Sequence, residues 1–372
     1  MIPLNQNLNT LTRSPIRVYT NLANATPGCI KLTIGEPDFD TPDSVKAAAV
    51  VGLQENQTHY APNQGMENLR ESIARAEQVM PEQVLITIGA TQALFTALVG
   101  ILNPGEEVIV PTPGFGLYES IASIAGAKVI PLDVTKTDFQ IDRVALESLI
   151  TPKTKAIILN SPNNPTGVII NRESLDAVKK AVLGRDIFVV CDNVYQGLSY
   201  GECPDLSKDP ELKRQVIVCK SFSKPWAMTG WRIGYLICPE YAMERLLLLS
   251  AATITAVPTF LQNAAVAALD TNTEQMRQIY RNRRDYVCNR LRQMGLTFPE
   301  PEGAFYVFVD IRKFNLSSDE FCKRLIREAG VALVPGSCFG SEGYIRISYC
   351  YRDDELKEGM NRLERFIQTL PL

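Results

Sequence analysis

The chain has 372 residues, 45% of them hydrophobic, which is enough for a large core and suggests about two domains at this length. A net charge of −3 argues against nucleic acid or an anionic membrane as a partner. A single histidine, His59, argues against histidine-based metal sites, a Ser-His-Asp triad and the HExxH zinc proteases.

The N-terminal MIPLNQNLNTLTRSP has no cationic segment followed by an apolar run, so no signal peptide is expected. The first 40 residues are irregular and too short for a core of their own; they are expected to pack with the C-terminal part. Short β-rich runs then recur: VLITIG (84–89), EVIVP (107–111), KVIPL (128–132), AIILN (156–160), IFVVCD (187–192), QVIVCK (215–220) and RIGYLIC (232–238). Most are separated by segments of helical character, such as TQALFTALVGIL and ESLDAVKKAVLG. Apolar runs without strict alternation suit strands buried on both faces. The alternation predicts an α/β layered domain around a mostly parallel seven-stranded sheet. The apolar run RLLLLSAATITAV carries Ser and Thr and falls short of a membrane span.

After about residue 270 the texture changes. A long helix is expected over TNTEQMRQIYRNRRDYVCNRLRQMG, its arginines forming a solvated face. AFYVFVDI, a helix at FCKRLIREAG, VALVPG, YIRISY and a final helix from about Asp353 make a smaller α+β unit. The expected division is 45–270 for the large domain, and 1–44 with 271–372 for the small one. Nine scattered cysteines, without a CxxC pair, read as buried reduced thiols of a cytoplasmic protein.

No GxxxxGK[ST] phosphate loop and no GxGxxG after a strand occurs. Polar residues gather instead at the carboxyl ends of the strands, where open α/β sheets bind ligands. After VLITIG, Ala90-Thr91 opens a helix whose free N–H groups could hold a phosphate; taken alone, a plain cap by Thr91 is the simpler reading. After AIILN comes SPNNPTG (161–167), where a turn accounts for the prolines and glycine but not for Asn164. Asp192 ends an apolar strand and needs a partner unless it caps a helix; Tyr195 follows. Then SFSKPWAMTGWRIGY (221–235) sets Lys224 among Ser221 and Ser223, with Arg232 eight residues on at the start of a strand. A lysine in a partly dry pocket loses proton affinity and can form a Schiff base with an aldehyde. An anion cradle, such a lysine and an acid for a pyridinium nitrogen together describe pyridoxal phosphate.

These residues resemble the class I/II aminotransferases, pyridoxal-phosphate enzymes of fold type I. SFSKPWAMTGWRIG carries the likeness most specifically, supported by NSPNNPTG, CDNVY, IGEPDFDTP (34–42) and HYAPNQGMENLR (59–70). It runs to YIRISY (344–349), nearly the whole chain. The resemblance implies that Lys224 holds the cofactor covalently and then moves the substrate proton. It implies Asp192 on the pyridinium nitrogen, and Tyr195 and Asn164 on the phenolic oxygen. Ser221, Arg232, Ala90 and Thr91 would hold the phosphate, and Phe115, where relatives often have Trp or Tyr, would stack on the ring. Arg346 would take the substrate α-carboxylate as a bidentate fork, with the Gly35 backbone alongside. Tyr60 would reach the phosphate of a neighbouring subunit, which implies a homodimer with shared active sites; a half-buried core aromatic is the other reading of Tyr60.

The resulting expectation is an enzyme moving the amino group of an L-amino acid to a 2-oxo acid, most simply 2-oxoglutarate, by a ping-pong route. Two alternatives stand beside it. One is a β-carbon–sulfur lyase on the same scaffold; the other is an effector-binding regulatory module, disfavoured by the acidic balance and by a chain too short for an added DNA-binding segment. The donor stays open among aspartate, aromatic and broader ranges. Arg13, Arg17 and Ile16 are the N-terminal candidates for contact with the substrate side chain.

Overall fold

The computed structural model describes residues 2, 5–11 and 15–371. Seven strands form one sheet: β1 (Val84–Thr87), β2 (Glu107–Thr112), β3 (Lys128–Asp133), β4 (Thr154–Asn160), β5 (Phe188–Asp192), β6 (Val216–Ser221) and β7 (Gly234–Ile237). They correspond to the seven apolar runs of the sequence. Their order across the sheet is β1-β7-β6-β5-β4-β2-β3. β2 to β6 pair in parallel, and β7 runs antiparallel to both β1 and β6.

Successive side chains of a strand point to opposite faces, and here both faces are covered. Ile157, Leu159, Val189, Cys191 and Val218 enter one core with Val45, Ile73, Val178 and Ala264 from the helices Asp43–Gln54, Glu67–Glu77, Arg172–Val182 and Thr259–Leu269. Ala156, Ile158, Val190, Ile217 and Cys219 enter the other with Leu94, Tyr118 and Leu246 from Gly89–Ile101, Leu117–Ile124 and Glu240–Ile254. The result is a three-layer α/β arrangement. Each fully buried Val, Leu or Ile favours it by about 1.5–3 kcal/mol over exposure, before chain entropy is charged.

A second sheet has the order β9-β10-β8, all antiparallel, from β8 (Tyr306–Asp310), β9 (Val334–Pro335) and β10 (Tyr344–Ser348). The long helix Glu274–Gln293 and the final helix Asp353–Gln368 share its core through Tyr280, Val287, Leu356 and Leu363. Tyr19, Ala23 and Leu32 join the same core, and Ile30–Lys31 pairs in parallel with Val331–Ala332. VALVPG is therefore divided between two sheets. The turn Gln6–Thr10 departs from the expected packing: Asn7 Nδ2 donates to the Ile124 carbonyl at 3.4 Å, on the seven-stranded side.

Three local expectations are corrected. Arg232 lies just past a turn and two residues before β7, at φ +54°, and is not part of a strand. Thr91 is not a cap; the helix starts at Gly89 without a side-chain cap, and the Ile88 N–H is taken by Gln92 Oε1 at 2.6 Å. Asp192 caps no α-helix; its Oδ1 accepts the Val194 N–H at 3.3 Å just past the end of β5.

Candidate active site

Because β4, β5 and β6 are parallel, their carboxyl ends lie on one edge, with Asn160 opposite Asp192 and Asp192 opposite Cys219. Asp192 is 5% exposed, and Tyr118 donates to its Oδ2 at 2.6 Å. No cation pairs with it among the described residues. Burial pushes its carboxyl up to about 6, opposed by the hydrogen bonds from Tyr118 and Val194. Asn160 ties this edge together: its amide donates to the Asp192 carbonyl at 2.9 Å, and its Oδ1 accepts the Asn164 N–H at 2.8 Å.

An anion corner lies beside it. Gly89 opens its helix at φ +69°, where a side chain would be strained, and a Cβ there would sit 2.9 Å from Arg232 Nη2. Glycine thus lets the Arg232 guanidinium reach the positive end of a helix. Arg232 Nη1 donates to the Thr229 carbonyl at 2.9 Å, and among the described residues it has no carboxylate partner. The exposed Thr91 and the buried Ala90 form the helix's first turn. Ser221 Oγ is 2.8 Å from Ser223 Oγ at the end of β6.

Lys224 follows. Its half-buried side chain donates to the Gly35 carbonyl at 2.5 Å and has no salt-bridge partner among the described residues. Burial pulls its ammonium down to about 8, because the cation loses hydration that one carbonyl does not fully replace. Glu36 accepts a hydrogen bond from Thr229, so the 34–42 loop is held against the lysine loop. Arg283 anchors that loop from behind through Asp38, at 2.7 Å.

Arg346, on β10, is 2% exposed. Its Nη1 donates to Asn164 Oδ1 at 2.7 Å and its Nη2 to the Thr33 carbonyl. The guanidinium lies between the rings of Tyr306 and Phe339, 4.5 and 4.9 Å from their centroids. Its Nε has no acceptor, and no carboxylate pairs with it among the described residues. A buried charge in this state costs stability unless a ligand anion completes it. Since Asn164 Oδ1 is committed to Arg346, the amide offers a ligand its N–H donors.

The Tyr195 hydroxyl lies 2.7 Å from that of Tyr306. Burial raises the Tyr195 phenol well above its ordinary value. Phe115 is half-buried and meets Tyr118 edge-on at 6.0 Å. Tyr60 is 89% exposed, which overturns its reading as a half-buried core aromatic. Ile16 packs against the Phe308, Val334, Phe339 and Tyr344 cluster, Arg17 is exposed, and Arg13 lies outside the described residues. Sequence reasoning missed Tyr118, Asn160, Tyr306 and Phe339. Only Asn160 carried a usable signal, as a polar residue closing an apolar strand.

The model of the aminotransferase class I and II family matches residues 27–363. The chain belongs to the class I and II aminotransferases. This aminotransferase is 39% identical over 376 residues to the Bacillus subtilis (strain 168) protein named probable N-acetyl-LL-diaminopimelate aminotransferase, spanning 98% of this chain and 95% of that one. It is 37% identical to aromatic-amino-acid aminotransferase 2 of Thermococcus litoralis, over 99% of both chains. The crystal structure of aspartate aminotransferase from Thermotoga maritima superposes with a TM-score of 0.94 at 35% identity, covering 98% of this chain and 100% of that one. The fold is therefore fold type I, the enzyme is a pyridoxal-phosphate-dependent aminotransferase, and its substrates are amino and oxo acids. The enzyme assignment replaces the reading as a regulatory module.

Proposed function

We propose that this aminotransferase transfers the amino group of an L-amino acid to 2-oxoglutarate in two half-reactions at one site, the first product leaving before the second substrate binds. The observation that carries the reading is Arg346: a buried guanidinium with an orphaned Nε, no carboxylate partner among the described residues and two aromatic walls. Of an arginine's five N–H donors, two are used by Asn164 and Thr33. The remaining donors suit a carboxylate, the group that amino acids and oxo acids share.

The residues present also fit the cofactor. Gly89 leaves the Arg232 guanidinium room at a helix N-terminus, and Asp192 is a buried acid without a cation among the described residues. In this reading Ser221, Arg232, Ala90 and Thr91 hold the phosphate, Phe115 stacks on the ring, and Asn164 and Tyr195 bind the phenolic oxygen. Asp192 pairs with the ring nitrogen. Pyridoxal phosphate, when bound, supplies an aldehyde to carry the amine and a ring that accepts the electrons left when the substrate Cα loses its proton. Lys224 would hold that aldehyde carbon and, once displaced, would move the proton from Cα; burial lowers its ammonium to about 8, which makes the neutral amine easier to reach. Gly35 borders the carboxylate beside Arg346.

The exposed Tyr60 supports a homodimer in which each subunit lends this side chain to its partner. The separate cores support a large domain over 45–270 and a small one from 1–44 with 271–372. None of the described helices is long and apolar enough to cross a membrane, and the reading is of a cytoplasmic enzyme. Relatives named for aspartate, aromatic amino acids and N-acetyl-LL-diaminopimelate define the donors to try. In the test, loaded enzyme receives each donor without an oxo acid while its absorbance is followed. A spectral change reversed by 2-oxoglutarate supports the reading, and the most effective donor names the substrate. Pyruvate released from cystathionine without reversal would instead establish the lyase.

A further inference from the structure

Tyr306, on β8, enters the roles above only as a ring beside Arg346, with no role for its hydroxyl, yet three groups of the site meet on it. It is 2% exposed. Its hydroxyl has one hydrogen-bond partner among the described residues, the hydroxyl of Tyr195 at 2.7 Å. The Arg346 guanidinium lies over its ring at 4.5 Å. Gly35 packs so close that a Cβ there would be 1.7 Å from the Tyr306 hydroxyl. A phenylalanine would fill the same space and present the same ring face, so packing alone does not account for the hydroxyl.

Each phenol carries one hydrogen. In the pair, one tyrosine donates to the other, and the acceptor keeps its own hydrogen for a further partner. The cation over the ring of Tyr306 draws electron density from it and favours Tyr306 as the donor. Burial raises Tyr306 to about 12 and Tyr195 well above its ordinary value, which agrees with that direction. A Tyr195 that accepts from Tyr306 is polarised and becomes the stronger donor elsewhere.

We propose that Tyr306 is a positioning residue whose hydroxyl donates to Tyr195, freeing and strengthening the Tyr195 hydrogen for the cofactor's phenolic oxygen, and whose ring face seats Arg346 for the substrate carboxylate. This rests on the roles proposed above for Tyr195 and Arg346. One side chain thereby links the cofactor side of the site to its carboxylate side.

The test is a pH titration of the visible absorbance of the pyridoxal-phosphate-loaded protein, for wild type, Tyr306→Phe, Tyr306→Leu and Tyr195→Phe, with donor KM measured on each. Donation to the phenolic oxygen disperses its negative charge and lowers the transition midpoint. Tyr306→Phe should raise the midpoint by about half a pH unit, less than Tyr195→Phe does, and leave KM near wild type. Tyr306→Leu should show the same rise and also increase donor KM by about threefold to tenfold. A midpoint moved by Tyr195→Phe but not by Tyr306→Phe overturns the inference and leaves the role of Tyr195 standing. If neither moves it, the role of Tyr195 is lost and the inference with it. Equal KM in the Phe and Leu variants overturns the seating of Arg346.

Discussion

Replacing Asp192 with Asn should stabilise the cofactor-free protein while disabling the loaded enzyme. The carboxyl is buried at the end of β5 with two hydrogen bonds and no cation among the described residues. Its ordinary value of 3.8 is raised to about 6 by burial. Between these values the folded chain binds more protons than the unfolded one, so stability falls as pH rises. The penalty is absent below about pH 4 and complete above about pH 6. A rise from 3.8 to about 6 is worth about 3 kcal/mol. Asparagine avoids that charge but must place its amide hydrogens beside Tyr118, so a net gain of about 1–3 kcal/mol at pH 8 is expected. For a chain of 372 residues this raises the unfolding midpoint by about 1–4 °C. Thermal unfolding of both apoproteins, followed by circular dichroism from pH 4 to 8, measures it. The advantage of Asp192→Asn should shrink as pH falls through 6. With pyridoxal phosphate the order should narrow or reverse, because the wild-type carboxylate gains the ring nitrogen as a partner. Equal apoprotein midpoints at pH 8, or an advantage undiminished at pH 4.5, would refute the reasoning.

Arg346→Lys should lower kcat/KM by about 100-fold for donor and oxo acid alike, since an ammonium cannot reproduce the guanidinium fork; a loss confined to one substrate would show that Arg346 does not serve both. The rate at which apoprotein recaptures pyridoxal phosphate should rise through about pH 8, where Lys224 becomes neutral, and covalent capture should vanish in Lys224→Ala. Reduction of the loaded protein with borohydride, followed by mass spectrometry, locates the attachment. Gly89→Ala combines an unfavourable φ of +69° with a Cβ 2.9 Å from Arg232 Nη2. It should weaken cofactor binding about tenfold and cost the apoprotein about 1 kcal/mol, read by absorbance titration and thermal unfolding. Tyr60→Phe should leave apoprotein stability within about 0.5 kcal/mol, because the side chain is 89% exposed, yet loosen the cofactor. Unchanged cofactor affinity in this variant would count against a site shared between subunits.

The central strands were legible because a strand buried on both faces is mostly apolar, as in AIIL before Asn160, FVVC before Asp192 and VIVC before Lys220. The same burial made the polar residues closing them conspicuous, which is how Asp192 and Lys224 could be read from the chain alone. Arg232 was legible as a residue but not in its conformation. Its φ of +54° depends on a turn that brings its guanidinium to Gly89, far back in the chain. Tyr118, Tyr306 and Phe339 were hidden because an aromatic in a helix or strand looks the same whether it fills a core or faces a ligand. Residue type and local periodicity therefore determined the sheet, the lysine and the buried acid. Only the tertiary structure set Tyr118 on Asp192 and Arg346 between two rings, because those contacts join segments far apart in sequence, and local pattern carries no record of which distant side chain will arrive.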